Sequence, residues 1–187
     1  MEKSKKKELL DWFIAIAVAV VFVIAIRTFI FSPIVVDGSS MMPTYEDGDR
    51  VIINKFSKQI SGIDRFEVIV FEAPIGEDYI KRVVGLPGDS ISYENDILYI
   101  NGEALEEPYL DEYKEKLTDH APLTYNFNLE SLTGYKEIPE GYLFVLGDNR
   151  RKTTDSRDPN VGLVPMDKVL GTAKVRFYPF DNLGIVR

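Results

Sequence analysis

The sequence predicts an all-β domain, built from coiled antiparallel sheets or a partial barrel, behind one N-terminal transmembrane helix. Three observations lead to this class. A membrane-length apolar stretch ends at residue 31, and short runs of Val, Ile, Phe and Tyr separated by turn residues fill most of the rest. No amphipathic pattern of about 12 or more residues occurs outside the N-terminal stretch. The 187 residues allow one ordinary domain plus an appendage.

The apolar stretch, residues 9–31, is interrupted only by Asp11 and Arg27. A helix of about 20 apolar residues spans a bilayer. Lysines precede this stretch, so the positive-inside rule predicts a single-pass protein of the cell membrane, with residues 1–8 cytoplasmic and residues 32–187 extracytoplasmic. A cleavable signal peptide is the alternative, but bulky residues follow the apolar core and no Ala-x-Ala pattern is present. A core helix of a soluble protein is the third interpretation.

The segments after the anchor have the composition of short strands. They are rich in β-branched and aromatic residues, and Asp-Gly, Pro-Gly and Asn-Gly turns separate them. The predicted strands are residues 51–53, 66–71, 79–84, 97–100, 142–146 and 173–178. Residues 103–140 differ because they hold ten acidic residues against three lysines. We interpret them as a solvated acidic insertion with weak β structure.

Composition excludes several classes of function. Residues 32–187 carry 17 basic and 27 acidic residues, which argues against nucleic acid as a partner because phosphate contacts need clustered Lys and Arg. The absence of cysteine removes disulfides, thiolate metal sites and cysteine nucleophiles. The presence of one histidine only, His120, argues against histidine as the base for an activated serine. No metal or organic cofactor is indicated.

Ser40 is a candidate nucleophile just behind the anchor. Gly38 lets the backbone turn sharply and Pro43 restricts the backbone on the other side, which places the serine in a constrained turn next to a strand. A nucleophilic serine needs exposure at such a turn and backbone N–H groups that hold an oxyanion. A serine in Gly-Ser-Ser is more often a simple turn residue, so the local sequence leaves both interpretations open.

Lys81 lies in the apolar run 79–84. Alternate residues of a strand share a face, so Lys81 points with Tyr79 and Val83 while Arg82 points the other way, and one of the two basic residues must face the sheet interior or its rim. A lysine in apolar surroundings loses proton affinity and can act as a neutral general base, which arginine cannot. An exposed lysine on an edge strand is the alternative.

A third cluster, residues 147–157, follows a predicted strand and is dense in charges and hydroxyls. Such loops are usually turns closed by Asn and Asp side chains. This loop can also present Thr153 and Asp155 to a neighbouring site.

Together these segments resemble the signature motifs of bacterial type I signal peptidases. The matching residues are Ser40-Met41-Met42-Pro43-Thr44, the run from Tyr79 to Asp89, and the loop from Gly147-Asp148-Asn149-Arg150 to Asp155-Ser156-Arg157. They occur in the family's order behind the family's N-terminal anchor, and the resemblance covers nearly the whole chain. The single anchor and short insertion are similar to the compact members of the family.

The resemblance implies a Ser/Lys dyad that needs no cofactor, with Ser40 as nucleophile and Lys81 as general base. It also implies an oxyanion hole that uses the Ser40 backbone N–H, a hydroxyl at Thr153 (usually serine in the family) that holds the lysine amine, and an acidic group at Asp155. Some members carry a donor serine two residues before the nucleophile. Here that position is Gly38, so the second donor would be the Gly38 backbone or water.

Two ion pairs are expected to brace this site, Asp148 with Arg82 and Asp155 with Arg157. A structure with either pair far apart would refute that hypothesis. A weaker motif, residues 65–71, begins with Arg65-Phe66 where the family usually has Arg-Gly-Asp. This difference affects only the expected local turn.

The implied substrates are secretory preproteins whose signal peptides end in small residues at the first and third positions before the bond. An extended substrate would join a sheet edge by strand addition. Ile34, Val36, Tyr79 and Val83 are candidates for lining the pockets that receive it. Membrane lipid and nearby export machinery are the other implied partners.

Rival interpretations are a soluble self-cleaving repressor and the archaeal or endoplasmic-reticulum type of signal peptidase. The anchor and the lack of a DNA-binding half argue against the first, and a lysine where the second type has histidine argues against that one. A rival of a different class is a catalytically inactive, membrane-tethered β-domain that acts as a binding or assembly module.

Overall fold

The computed structural model describes residues 2–29, 31–55, 62–119 and 121–186; His120 lies outside them. Helix α1 spans Glu2–Phe29, and its described side chains are those of Lys5 and residues 7–24. Large apolar side chains from Leu9 to Ile24 are exposed on this helix. A search of the described residues finds no helix with the length and apolar content that crossing a membrane requires.

The rest of the described chain is mostly β structure. Its strands are β1 (Phe31–Val35), β2 (Arg50–Asn54), β3 (Val68–Glu72), β4 (Asp78–Gly85), β5 (Ile91–Glu94), β6 (Ile97–Ile100), β7 (Glu103–Leu105), β8 (Phe127–Asn128), β9 (Tyr142–Leu146), β10 (Val164–Pro165), β11 (Val169–Tyr178) and β12 (Gly184–Ile185). Between them lie the short helices α2 (Asp111–Glu115) and α3 (Leu129–Thr133), and 3₁₀ turns at Pro108–Leu110, Met166–Lys168 and Phe180–Asn182.

Two antiparallel sheets form from these strands. The larger has the order β1-β2-β11-β3-β4-β9-β10, with β12 added on β11, and the smaller has the order β7-β6-β5-β8. Register shifts interrupt the pairing of β11 with β2 and β3, and of β4 with β9. Such irregularities bend strands and increase twist, which lets a sheet curl. The predicted all-β class with coiled antiparallel sheets is confirmed.

Two predicted strands differ from the observed ones by two or more residues at their starts. The strand expected from residue 66 begins at Val68, because Phe66 has a φ of 69° and its backbone is in the left-handed region. The strand expected from residue 173 begins at Val169, because β11 pairs with both β2 and β3. Long-range pairing therefore lengthens one strand and local backbone geometry shortens the other.

Strand β3 lies at the centre of the large sheet and is buried on both faces. Val68 and Val70 pack into one hydrophobic cluster, and Ile69 and Phe71 pack into another, as expected from alternation along a strand. The pairing of β3 with β4 places Ile69 opposite Lys81. The lysine is therefore carried on a strand beside the most buried part of the sheet.

The insertion, residues 103–140, is more closely packed than the sequence interpretation held. Leu110, Leu123 and Leu129 are fully buried, and Glu107 is also buried. The insertion itself supplies β7 and β8 of the small sheet, and Leu129 packs with Tyr93 and Leu98 of that sheet in one hydrophobic cluster. The interpretation as a solvated segment is wrong for these residues, although many of the other acidic side chains are exposed.

Candidate active site

Ser40 lies in the loop that joins β1 to β2. Backbone hydrogen bonds close the base of this loop, from Val36 N to Asp49 O at 2.8 Å and from Gly48 N to Val36 O at 2.9 Å. Met41, the next residue, is fully buried in a hydrophobic cluster. The serine is therefore held by a loop that is closed at its base and anchored in the core beside it.

Lys81 reaches this serine from β4. Its Nζ atom lies 2.9 Å from Ser40 Oγ and donates to the Ile80 carbonyl at 2.8 Å. Lys81 is 4 % exposed and Arg82 is fully buried. Alternation along the strand required only one of the two basic residues to face inward, and the structure buries both.

Burial lowers the pKa of Lys81 from its usual 10.5 to about 8, although the charges of Asp155 and Asp148 raise it. A substantial fraction of the amine is therefore neutral near pH 8. Only the neutral amine has a lone pair that can accept the serine proton. The contact between Nζ and Oγ is thus a base within hydrogen-bonding distance of a hydroxyl.

Both expected ion pairs are present. Arg82 donates to Asp148 from Nε at 2.9 Å and from Nη2 at 2.7 Å, and both side chains are buried. Arg157 Nη2 lies 2.8 Å from Asp155 Oδ2, and Asp155 in turn accepts from the Gly147 N–H at 3.1 Å. Burial opposes the charge of Arg82, but the hydrogen bond and charge of Asp148 raise its pKa above the usual value.

The structure differs from the sequence interpretation at Thr153 and at the Gly38 N–H. Thr153 Oγ1 is buried and has no hydrogen-bond partner among the described residues, so it does not hold the lysine amine. The amine instead contacts Ser40 and the Ile80 carbonyl. The second oxyanion donor was expected to be the Gly38 backbone or water, and the Gly38 N–H instead donates to Asp47 Oδ1 at 2.8 Å.

A groove of about 560 Å³ opens above the Ser40–Lys81 pair. Ile34, Val36 and Tyr79 line it, as the sequence predicts for a substrate site. Val83 does not, because it is fully buried in the cluster around Ile69; that expectation is wrong. Other lining residues that the sequence did not single out are Glu77, Asp78, Lys152 and Thr154.

Comparisons with known proteins identify the family of this chain. Residues 9–178 match the model of the family described as signal peptidase, peptidase S26. The chain belongs to that family. It is 49 % identical over 181 residues to signal peptidase I of Bacillus caldolyticus, across 97 % of this chain and 96 % of that protein. It is 42 % identical over 182 residues to signal peptidase IB of Staphylococcus aureus, across 95 % and 93 %.

A crystal structure of a signal peptidase I from Enterococcus faecalis is also similar. It is 40 % identical in sequence, has a TM-score of 0.57, and matches 60 % of this chain and 97 % of that one. The family predicted from the three motifs is therefore confirmed. No group of three or more His, Asp and Glu in the described part of this family member could hold a metal ion.

Sequence reasoning also missed Asn149, which contacts the nucleophile turn. Its backbone N–H donates to Ser40 O at 3.0 Å, and its side-chain Nδ2 donates to Ser39 O at 2.9 Å. The available signal was an asparagine in the family motif directly after a strand, where such side chains usually bond to nearby backbone. Its actual partners are about 110 residues away in sequence, so no local pattern could identify them.

Proposed function

We propose that this chain is a membrane-anchored serine endopeptidase that removes N-terminal signal peptides from secretory preproteins. The single observation that carries the proposal is the 2.9 Å contact between the Lys81 amine and the Ser40 hydroxyl, two residues that line a groove. Family membership supports the substrate class, since the relatives are signal peptidases. Cleavage follows small residues at the first and third positions before the bond.

The proposed chemistry is acyl transfer through Ser40. Neutral Lys81 takes the Ser40 proton as Oγ attacks the scissile carbonyl, and the Ser40 backbone N–H stabilises the oxyanion. The lysine ammonium then gives its proton to the leaving amine, so the C–N bond breaks and an ester to Ser40 remains. Lys81 next takes a proton from water as the water oxygen attacks this ester. The lysine ammonium then returns that proton to Ser40 Oγ as the ester bond breaks, which releases the signal peptide as a carboxylic acid and restores the dyad.

The free edges of two strands support binding of an extended substrate. Among the described strands, β1 pairs only with β2 and ends the large sheet. Residues 78–81 of β4 pair with β3, whereas the described pairing with β9 begins at Arg82. Because residues of both segments line the groove, a peptide placed there can add as a strand between them.

Residues 9–31 are proposed to anchor the enzyme in the cell membrane in a single pass, with residues 1–8 cytoplasmic and residues 32–187 outside. The exposed apolar side chains of α1 support this, since such a surface is stable in lipid. The sequence continues apolar at Ala25 and Ile26, beyond the described side chains. Membrane lipid and nearby export machinery are the partners that this topology implies.

The proposal is tested by cleavage of a preprotein that carries Ala-x-Ala before the bond. The full chain in detergent is compared with Ser40→Ala and Lys81→Ala, and a second preprotein with bulky residues at the two small positions serves as the control substrate. Cleavage of the first preprotein by the wild type alone supports the dyad. Undiminished cleavage by either variant overturns the mechanism, and an inactive wild type favours the binding-module alternative.

A further inference from the structure

Three consecutive residues of the loop after β9 contact the acidic insertion. Asn149 Oδ1 accepts from the Tyr113 hydroxyl at 2.8 Å, Arg150 forms a buried ion pair with Glu107, and Arg151 pairs with Asp119 at 2.7 Å. Arg150 also donates to Thr124 in the same insertion at 3.1 Å. The insertion therefore holds the loop that approaches Ser40.

The ion pair between Arg150 and Glu107 is the strongest part of this contact between the loop and the insertion. Both side chains of Arg150 and Glu107 are almost completely buried. Burial opposes the charge of Glu107, but the charge and hydrogen bonds of Arg150 lower its pKa below the usual value. An ionised, hydrogen-bonded pair of this kind fixes the orientation of both partners. This pair therefore holds the backbone at the neighbouring Asn149 in place.

Asn149 connects this rigid contact to the nucleophile turn. Its Nδ2 donates to Ser39 O and its backbone N–H donates to Ser40 O, so it binds two successive carbonyl groups. The Tyr113 hydroxyl contacts the other side-chain atom, Oδ1. This contact keeps the amide in the orientation that directs Nδ2 toward Ser39 O.

The direction of the Ser40 N–H follows from that contact. The bond between Ser39 and Ser40 is a trans peptide, in which the C=O and N–H point in opposite directions. Since the carbonyl points toward Asn149, the Ser40 N–H points away from it. No described residue accepts a hydrogen bond from that N–H, so it is available to an oxygen in the groove.

We propose that Asn149 is a positioning residue that directs the Ser40 N–H toward the oxyanion, and that Tyr113 of the insertion holds Asn149 in place. This inference rests on the proposed function, because it assigns a task in acyl transfer at Ser40. It gives the acidic insertion a role in catalysis through one hydrogen bond. The reaction loses an oriented oxyanion donor when either hydrogen bond is removed, the one from Asn149 to Ser39 O or the one from Tyr113 to Asn149.

Kinetics of the full chain in detergent test this assignment. Asn149→Leu keeps the shape of the side chain and removes both polar atoms, and we expect kcat per folded enzyme to fall about 100-fold, as for loss of one oxyanion donor. Tyr113→Phe removes one neutral hydrogen bond and is expected to lower kcat about 5-fold. KM and the pH profile should not change, because the Ser40–Lys81 contact is untouched. Folded enzyme is quantified by urea unfolding.

The double variant separates this role from a general structural one. If Tyr113 acts through Asn149, Tyr113→Phe has no further effect on kcat in the Asn149→Leu background. Tyr125→Phe is the matched control, since Tyr125 is an exposed tyrosine of the same insertion, and it should leave kcat unchanged. An unchanged kcat in Asn149→Leu, or a Tyr113 effect that persists in the double variant, overturns the proposal.

A crystal structure of Asn149→Leu tests the orientation without catalysis. We expect the Ser39–Ser40 peptide to rotate, and an unchanged peptide contradicts the proposal. Wild type and Ser40→Ala are assayed alongside. If the wild type cleaves no better than Ser40→Ala, the proposed function fails, and the crystal structure still decides whether Asn149 orients the peptide.

Discussion

Lys81 Nζ and Ser40 Oγ lie 2.9 Å apart, although 41 positions separate the two residues in sequence. The contact joins a strand of the large sheet to the loop behind the N-terminal helix. It also places a titratable amine where water has little access. The rate, the stability and the pH dependence of the protein should all depend on the surroundings of this one amine.

The rate of cleavage should rise with pH through the pKa of Lys81, about 8. Only the neutral amine can accept the serine proton, so activity is low below this pH and reaches a plateau above it. In Asp155→Asn the rising limb should move to lower pH, because the charge of Asp155 raises the lysine pKa. The measurement is kcat/KM against pH.

Asp158→Asn is the control for this titration. Asp158 lies in the same loop but does not contribute to the pKa shift of Lys81, so its profile should match the wild type. The electrostatic explanation would be contradicted if the wild-type kcat/KM rose only near the usual pKa of lysine. It would also be contradicted if the rise in Asp155→Asn came at higher pH than in the wild type.

Lys81→Met should stabilise the protein while it abolishes cleavage. The folded-state pKa is lowered from 10.5 to about 8, so at pH 7 burial of the charged lysine costs roughly 3 kcal/mol in the free energy of unfolding. Loss of the contacts to Ser40 and Ile80 offsets part of this, which leaves an expected gain of about 1–3 kcal/mol. Urea unfolding at pH 7 measures it.

The pH dependence gives this prediction its sign. Between pH 8 and 10.5 the unfolded wild type binds more protons than the folded one, so wild-type stability rises with pH. The advantage of Lys81→Met is therefore largest below pH 8 and disappears above 10.5. Lys136→Met, at an exposed lysine, should show no such trend. A stability advantage of Lys81→Met that does not shrink as the pH rises would refute this explanation.

Removal of Arg82 alone should destabilise the fold strongly. Arg82→Met leaves Asp148 buried without its partner, which typically costs about 3–5 kcal/mol. The double variant Arg82→Met with Asp148→Leu replaces the pair by apolar side chains and should recover most of that loss. Urea unfolding of the two single variants and the double variant measures the coupling. Losses that simply add would show that the pair does not act as a unit.

Gly147→Ala should disrupt the site because Gly147 has no room for a side chain. An added Cβ would lie 2.6 Å from Ser40 O and would overlap the hydroxyl of Thr153. Displacement of the Ser40 carbonyl should lower kcat by roughly 100-fold, the effect of about 1 Å of misplacement at a reacting group. The readout is cleavage of the Ala-x-Ala preprotein.

Gly184→Ala is the matched control for that glycine. Gly184 has open space at the Cβ position and lies in a strand far along the chain from the site. The Gly184→Ala variant should cleave the preprotein at the wild-type rate. Equal activity of the two alanine variants would show that the close approach of Gly147 to Ser40 has no bearing on catalysis.

The sequence predicted much of the fold because strand formation has a strong local signal. The segments 97–100 and 142–146 match β6 and β9 at both ends, since β-branched and aromatic residues there are bounded by turns. The insertion was interpreted less well, because its burial depends on packing with the small sheet, to which it contributes β7 and β8. Phe66 was also missed as a turn, since a bulky residue rarely adopts a positive φ.

The sequence alone determined the family, the all-β class and the candidate residues Ser40 and Lys81, because the motifs and the alternation of strands are written in neighbouring residues. The tertiary structure decided which polar atoms meet. It joined Asn149 to Ser39 across 110 positions, left the Thr153 hydroxyl without a partner among the described residues, and occupied the Gly38 N–H with Asp47. Hydrogen bonds between distant residues depend on how the strands pack, and no short segment contains that information.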